Sequence, residues 1–188
     1  MGTECSMEVA SAANGWVNTV GSSNPEIIKQ VRRIITSNIY CTLSTCSVDC
    51  IPWISPVFFA FDINLNIYWS SAVASKHSQN LYLNAGRIAI AMFDSSPSEE
   101  TAEGVYFSGS AVELQSRDDV EAALECLLVR ARRKHNRTTD DYLGNSSRRI
   151  YRFQPQEIWV TGERIAVGNQ LVDTKVYVSL ADLLSRES

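Results

Sequence analysis

The sequence predicts a mainly β protein with flanking helices, built as an antiparallel barrel. Three observations lead there. About seven β-prone runs are separated by short turn-rich stretches, so that most neighbours join as antiparallel hairpins. Helical and strand patterns do not alternate strictly, as a doubly wound parallel sheet would need. The 188 residues are 45% hydrophobic and 20% charged, an ordinary globular composition with enough length for one proper core.

Residues 1–22 are small and polar, and are expected to be a flexible N-terminal segment ahead of a single domain over 23–188. Asn24 is a good N-cap and Pro25 suits a first helical position. Ile27, Ile28, Val31, Ile34 and Ile35 then share one face of a helix that would cover one end of a barrel or sheet. IYCTLSTC (39–46) alternates as a strand does, and SVDC makes a turn. IPWISPVFFAF (51–61) is apolar but holds Pro52 and Pro56, which points to a bent strand, a sheet edge, or N–H positions facing a gap. DINLN is a hairpin turn and NIYWSS the returning strand. KHSQNLYLN suits a short helix with Leu81 inward, and GRIAIAMFDSS reads as a buried strand. GVYFSGSAVEL (104–114) is a strand whose interior glycines mark a bulge or a close backbone approach. Ser116, three residues before Asp119, opens a helix with Val120, Leu124, Leu127, Leu128 and Ala131 on its apolar face. RRIYRFQPQEIWVTG and TKVYVSL are two more strands, linked by ERIAVGNQLVD.

A net charge of −4 argues against nucleic acid as the main partner. The basic run RARRKHNR (130–137) reads as the solvated end of a helix, where cations suit the dipole. No apolar run has the length of a membrane span, and the N-terminus lacks the apolar stretch of a signal peptide. MGTECS matches the loose N-myristoylation pattern, which is short enough to arise by chance. Five cysteines without a signal peptide predict reduced thiols and a cytoplasmic protein. Cys41, Cys46 and Cys50 cluster, but their spacing does not match the usual zinc pairs. Cys41 is expected in a strand, the other two flank a turn, and no metal is expected.

Tyr68 to Leu81 reads YWSSAVASKHSQNL. Ser70 and Ser71 would end a strand, and Ser75 would cap the following helix. Lys76 and His77 then fall in its first turn, where the macrodipole is already positive. A bound anion would reverse that penalty, so hydroxyls, backbone N–H groups and two potential cations together suggest a phosphate site. A solvated turn with the lysine pointing away is the competing reading. Trp69 is expected in the core.

The ordered set of these segments resembles the pyridoxamine 5′-phosphate oxidase-like, FMN-binding split-barrel family, from residue 34 to about 180. The matching pieces are the Trp53-Ile54-Ser55-Pro56-Val57 strand, the strand ending Tyr68-Trp69-Ser70-Ser71, the helix start Ser75-Lys76-His77-Ser78-Gln79-Asn80-Leu81, and the later GVYFSGSAVEL and QPQEIWV. Asn84 stands where the family often has Asn-Pro, here followed by Ala85. The resemblance implies a split barrel and a homodimer with FMN between its subunits. The flavin phosphate would meet Ser70, Ser71, Ser75 and Lys76, with His77 in a position often held by lysine. Trp53, Ile54 and Ser55 would run beside the ring and ribityl chain, and Asn80 would tie helix to strand end. It further implies an oxidoreductase acting on a small molecule. A flavin or haem carrier without turnover is the alternative, and a ligand-free dimeric barrel a third. Vitamin-processing members use a C-terminal Arg-Leu-His-Asp-Arg-like element; ERIAVGNQLVD has Arg164 and no histidine, which argues against pyridoxamine phosphate as substrate. No residue stands out as a catalytic acid or base. Tyr106 and Arg149 are the weakest candidates to project toward a cofactor.

Overall fold

The computed structural model describes residues 8–98, 102–132 and 136–185. The Gly2 and Ser6 of the acylation pattern, Cys5, and Arg133 to His135 of the basic run lie outside them. The chain divides into two compact units. The first comprises residues 1–37, 92–106 and 157–188, the second residues 38–91 and 107–156. Strands β6 (Arg87–Phe93), β7 (Gly104–Glu113) and β8 (Arg148–Thr161) each contribute residues to both units.

In the first unit, helix α1 (Pro25–Ser37) starts as its sequence requires. Asn24 Oδ1 accepts from the Glu26 N–H at 2.9 Å, satisfying one of the free donors of the first turn. Ile28, Val31, Ile34 and Ile35 are its buried face. Arg32, in the middle of that helix, donates to the carbonyls of Leu183 and Ser185, at 2.9 and 2.7 Å. Those carbonyls close α4 (Leu180–Leu184), a short helix the sequence pattern does not announce. Residues 8–22 include a strand, β1 (Val17–Asn18), which pairs in parallel with β11 (Lys175–Val178). Strand β11 in turn runs antiparallel to the end of β8, with Lys175 opposite Thr161. The expected link ERIAVGNQLVD is itself a hairpin, β9 (Ile165–Val167) with β10 (Gln170–Val172), turning at Gly168.

In the second unit, β2 (Tyr40–Cys46) lies between β3 (Pro52–Phe58) and β6, antiparallel to both. Strand β3 ends the sheet order, the edge among the readings its two prolines left open: they sit opposite Cys46 and Thr42 without an N–H to offer a further neighbour. Cys41 is buried in β2, and burial pushes its thiol up to about 12. The chain breaks at Phe59 and resumes as β4 (Ala60–Phe61), paired with β5 (Ile67–Ala72) across the DINLN turn. Asp62 Oδ1 accepts the N–H groups of Asn64 and Asn66, both at 2.9 Å, which fixes that turn.

Strand β5 pairs with the start of β8, so that Trp69 faces Tyr151 and Ser71 faces Arg149. Helix α2 (Lys76–Leu83) follows β5, and α3 (Arg117–Ala131) is capped by Ser116, whose Oγ accepts the Asp119 N–H. Val120, Ala123, Leu124 and Leu127 of α3 pack with Tyr68 and Ile150 in one apolar cluster. Strand β6 alternates between buried and exposed residues; the apolar run alone had suggested burial on both sides. Gly109 carries no side chain because a Cβ there would meet Gln154 O at 2.2 Å, the close approach its place in a strand suggested.

Among the described residues eleven strands therefore stand where about seven were read from pattern. Four of them (β1, β4, β9 and β10) have two or three residues, too few to show a period.

Candidate functional site

The site lies within the second unit, at the start of α2. Ser75 occupies the N-cap with extended backbone, yet its side chain makes no capping bond to the first turn. Its hydroxyl instead donates to Ser78 Oγ at 2.9 Å. The position is thus as expected and the bond is not. Serine at N-cap can cap or turn away, and here a second serine three residues on competes for the proton.

His77 is buried, at 8% exposure, and both ring nitrogens are engaged. Nε2 lies 2.7 Å from Ser71 Oγ and 3.0 Å from Ser75 Oγ, and Nδ1 lies 3.1 Å from Ser55 Oγ. Burial holds its pKa below the ordinary 6.5, so the ring is neutral near pH 7. His77 therefore joins strands and helix through hydroxyls and brings no charge.

Trp53 and Ser55 share one face of β3, and the Trp53 indole N–H donates to Ser55 Oγ at 3.0 Å. Trp53 is 42% exposed, which settles it outside the core; Trp69 is fully buried, as expected, and stacks on Tyr151 with centroids 5.6 Å apart. Ile54 points to the other face of β3 and is 65% exposed. The exposed Lys76 holds its ammonium 5.0 Å from the centre of the Trp53 ring. That is cation–π range.

Asn80 is buried and donates to Thr45 Oγ1 at 3.0 Å, which ties α2 to the end of β2. Ser70 is not part of this cluster. Alternation along β5 sends its side chain to the face opposite Ser71, where Arg148 donates to its Oγ at 2.9 Å and its carbonyl at 3.2 Å. Two adjacent serines in sequence thus serve two faces of one strand.

Sequence reasoning missed several participants. Ser78, which accepts from Ser75, is fully buried. Tyr151 shares a hydrogen bond of 2.7 Å with Tyr82, which donates to Glu113. Glu113 also accepts from Arg149 Nε at 2.8 Å. Burial, then the bonds to Glu113 and Tyr151, raise the Tyr82 phenol above its ordinary pKa. Ser78 was legible by its i+3 spacing from Ser75; the others need the pairing of β5 with β8. Arg149 is thus occupied by Glu113. Tyr106 belongs to the first unit, where the Lys175 ammonium lies 4.5 Å over its ring, beside an open cleft of about 1190 Å³. Among the described residues no helix is long and apolar enough to cross a membrane, and Cys41, Cys46, Cys50 and Cys126 are free thiols.

After α2 the chain turns through Ala85 and Gly86, both at positive φ. A Cβ on Gly86 would meet Ala111 O at 2.3 Å, and proline at 85 could not adopt the observed φ of 51°. The substitution of alanine for proline noted in the sequence fits that turn.

Residues 27–162, well over half the chain, match the family model described as pyridoxamine 5′-phosphate oxidase. The chain belongs to this family. Its mainly β architecture with flanking helices is the split-barrel fold of the pyridoxamine 5′-phosphate oxidase relatives, and solved structures agree. A heme binding protein from Mycobacterium smegmatis is similar at a TM-score of 0.61 and 18% identity, covering 86% of this chain and 61% of its own. The heme storage protein HutZ from Vibrio cholerae is similar at 0.54 and 14%, covering 70% and 92%. A nimC/nimA family protein from Clostridium acetobutylicum gives 0.51 and 14%, covering 79% and 91%. At these identities the likeness concerns the fold. No curated protein sequence matches the chain.

Proposed function

We propose that the protein binds FMN at the start of α2 and is a cytoplasmic, homodimeric oxidoreductase acting on a small molecule. Lys76 is the observation that carries the reading. Its exposed ammonium stands over an exposed indole, at a helix start whose N-cap side chain leaves the first turn uncapped. A cation beside free helix N–H groups suits a phosphate, and an exposed flat ring beside them suits a planar ligand. The phosphate donors would be the Lys76 ammonium, the N–H groups of the first turn and the Ser71 hydroxyl. Ser55, His77, Ser75 and Ser78 form a connected set of hydrogen bonds and serve as the frame behind them. Trp53 and Ile54 would lie along the isoalloxazine, with Ile54 offering backbone only, and Asn80 holds the helix in register. Bound flavin would supply hydride or electron transfer; the chain's own residues bind and orient it. A second copy would cover the apolar edge formed by Ile51, Trp53 and Ile54. Pyridoxamine phosphate is not proposed as substrate, since Arg164 is engaged with Asp173 at 2.8 Å and no histidine accompanies it.

The names of two structural neighbours give a second reading, haem binding, some weight. Haem iron takes an axial His, Cys, Met or Tyr. His77 could serve only by leaving the serine frame that occupies both its nitrogens, which favours flavin. The visible spectrum of the purified protein decides between them, followed by identification of the chromophore released on denaturation. A colourless protein that does not take up added FMN ends the flavin reading, and a Soret band replaces it with the other. Replacing Lys76 and Ser71 together by alanine is expected to weaken FMN binding by about tenfold or more; unchanged affinity would put the phosphate elsewhere.

A further inference from the structure

We infer that the phosphate proposed at the start of α2 is bound together with one proton from water, which settles on the buried His77 ring. This rests on the anion site proposed above, but not on flavin as its occupant. The ring's hydrogen-bond partners are hydroxyls alone. Ser71 and Ser75 Oγ lie 2.7 and 3.0 Å from Nε2, and Ser55 Oγ lies 3.1 Å from Nδ1. A neutral imidazole has one N–H and one lone pair, so one of its nitrogens accepts a serine proton. Either Ser71 gives its proton to Nε2 or Ser55 gives its proton to Nδ1. A hydroxyl committed in that way turns only lone pairs toward a phosphate, and these repel it. An imidazolium removes the conflict in both cases. Both nitrogens then donate, the serine oxygens accept, and the protons of Ser55 and Ser71 are free to point at an anion. The same three oxygens serve either state, so the ring takes up its proton where it stands.

The charges around the ring leave this role to His77. Its neighbour Lys76 is the exposed cation of the helix start. Strand β3 brings no titratable side chain. From β2, Tyr40 is exposed, burial keeps the Cys41 thiol protonated, and Cys46 ends the strand. Burial also raises the Tyr82 and Tyr151 phenols, so both are neutral. Arg149, opposite Ser71, is matched by Glu113. Tyr68 and Arg148 serve the other face of β5, with Asp62 and Ser70. No carboxylate is bonded to the ring, and burial is what holds its pKa down. A phosphate monoester carries nearly two negative charges at neutral pH, and Lys76 offsets one. One serine hydroxyl between ring and anion puts a phosphate oxygen no more than about 5.5 Å from the ring nitrogen. An opposite charge at that range favours the protonated ring. His77 does not touch the anion; it is a positioning residue that acts through Ser55 and Ser71 and by its charge. Anion and proton then strengthen each other's binding by the same factor. Affinity for the anion is lowest above the pKa of the bound state, rises as pH falls through it, and levels off below the pKa of the free state.

Sulfate tests this, because it keeps both charges throughout the range in which histidine titrates. The full chain labelled with ¹⁵N-histidine is followed by ¹H–¹⁵N correlation from about pH 5 to 8, in sodium chloride and in sodium sulfate of equal ionic strength. The chain has two histidines, and His77→Gln assigns their signals. Should that variant not fold, His135→Gln assigns them by difference. In sulfate His77 is expected to gain about tenfold in proton affinity, a midpoint higher by about one pH unit. At the same sulfate concentration the gain is expected to shrink in Lys76→Ala, an exposed position. A His77 midpoint indifferent to sulfate overturns the inference. So does an equal gain in Lys76→Ala, which would place the sulfate away from α2. Uptake of FMN by a protein whose His77 ignores sulfate would sink this inference and leave the flavin reading standing. A His77 that responds to sulfate in a protein that takes up no FMN would do the reverse.

Discussion

Around the cleft of the first unit, Arg33 meets Glu103, Arg164 meets Asp173 and Lys29 meets Glu26, each with at least one partner largely in water. In the second unit Arg149 and Glu113 meet with only 15% and 19% of their side chains exposed, and Glu113 also accepts from the Tyr82 phenol, which is bonded in turn to Tyr151. Both regions look alike in a list of charged residues. They differ in what surrounds the charges. Water screens the first set and makes each pair nearly dispensable. Protein surrounds the second, so each bond there has no substitute. Polar residues therefore mark a built site only when packing has removed their alternative partners.

The largest test of that contrast is Glu113→Ala. It removes the acceptor of Arg149 Nε and of the Tyr82 hydroxyl, while Arg149 keeps the carbonyls of Gly144, Ser146 and Arg148, and a loss of about 2 kcal/mol in urea unfolding is expected. A loss near that of a surface pair would erase the distinction. A smaller effect is expected from acid. Because burial depresses the folded pKa of His77 below 6.5, the unfolded chain takes up the proton first. The stability this neutral ring contributes is present above pH 6.5 and is lost as pH falls from there through the folded value. Urea midpoints for His77→Gln should lack that part of the decline; parallel curves for the two proteins would show that the ring is not protected. The smallest effect belongs to Asp173→Ala, expected to cost about 0.5 kcal/mol or less and to fade further in high salt. A larger, salt-insensitive cost would move the cleft into the same class as the buried network.

What the sequence made legible follows from range. Asn24 and Pro25, Ser116 with Asp119, and the DINLN turn are local devices, and each lies where its chemistry says. Pro52 and Pro56 foretold a sheet edge because a missing N–H has the same meaning in any strand. Ser71, Ser75 and His77 were found through their clustering. Ser70 shows the limit of proximity, since period-two alternation separates it from its neighbour. Tyr151, Tyr82 and Glu113 were illegible because only the pairing of β5 with β8 and the approach of α2 bring them together. Nor could the sequence say whether Ser75 would cap its helix; the competitor for its proton is Ser78, which the fold buries beside it.

Strand β3 carries one more consequence. It is an open edge with exposed tryptophan and isoleucine, a composition that invites stacking of chain upon chain into fibrils. Two of its seven residues are proline, at alternating distance from the exposed pair. Such a strand can lend its side chains to a shape-matched surface, yet it cannot template an endless ladder, because a growing ladder would meet a missing donor at Pro52 and again at Pro56. Stickiness and safety from polymerisation are thus written into the same short segment.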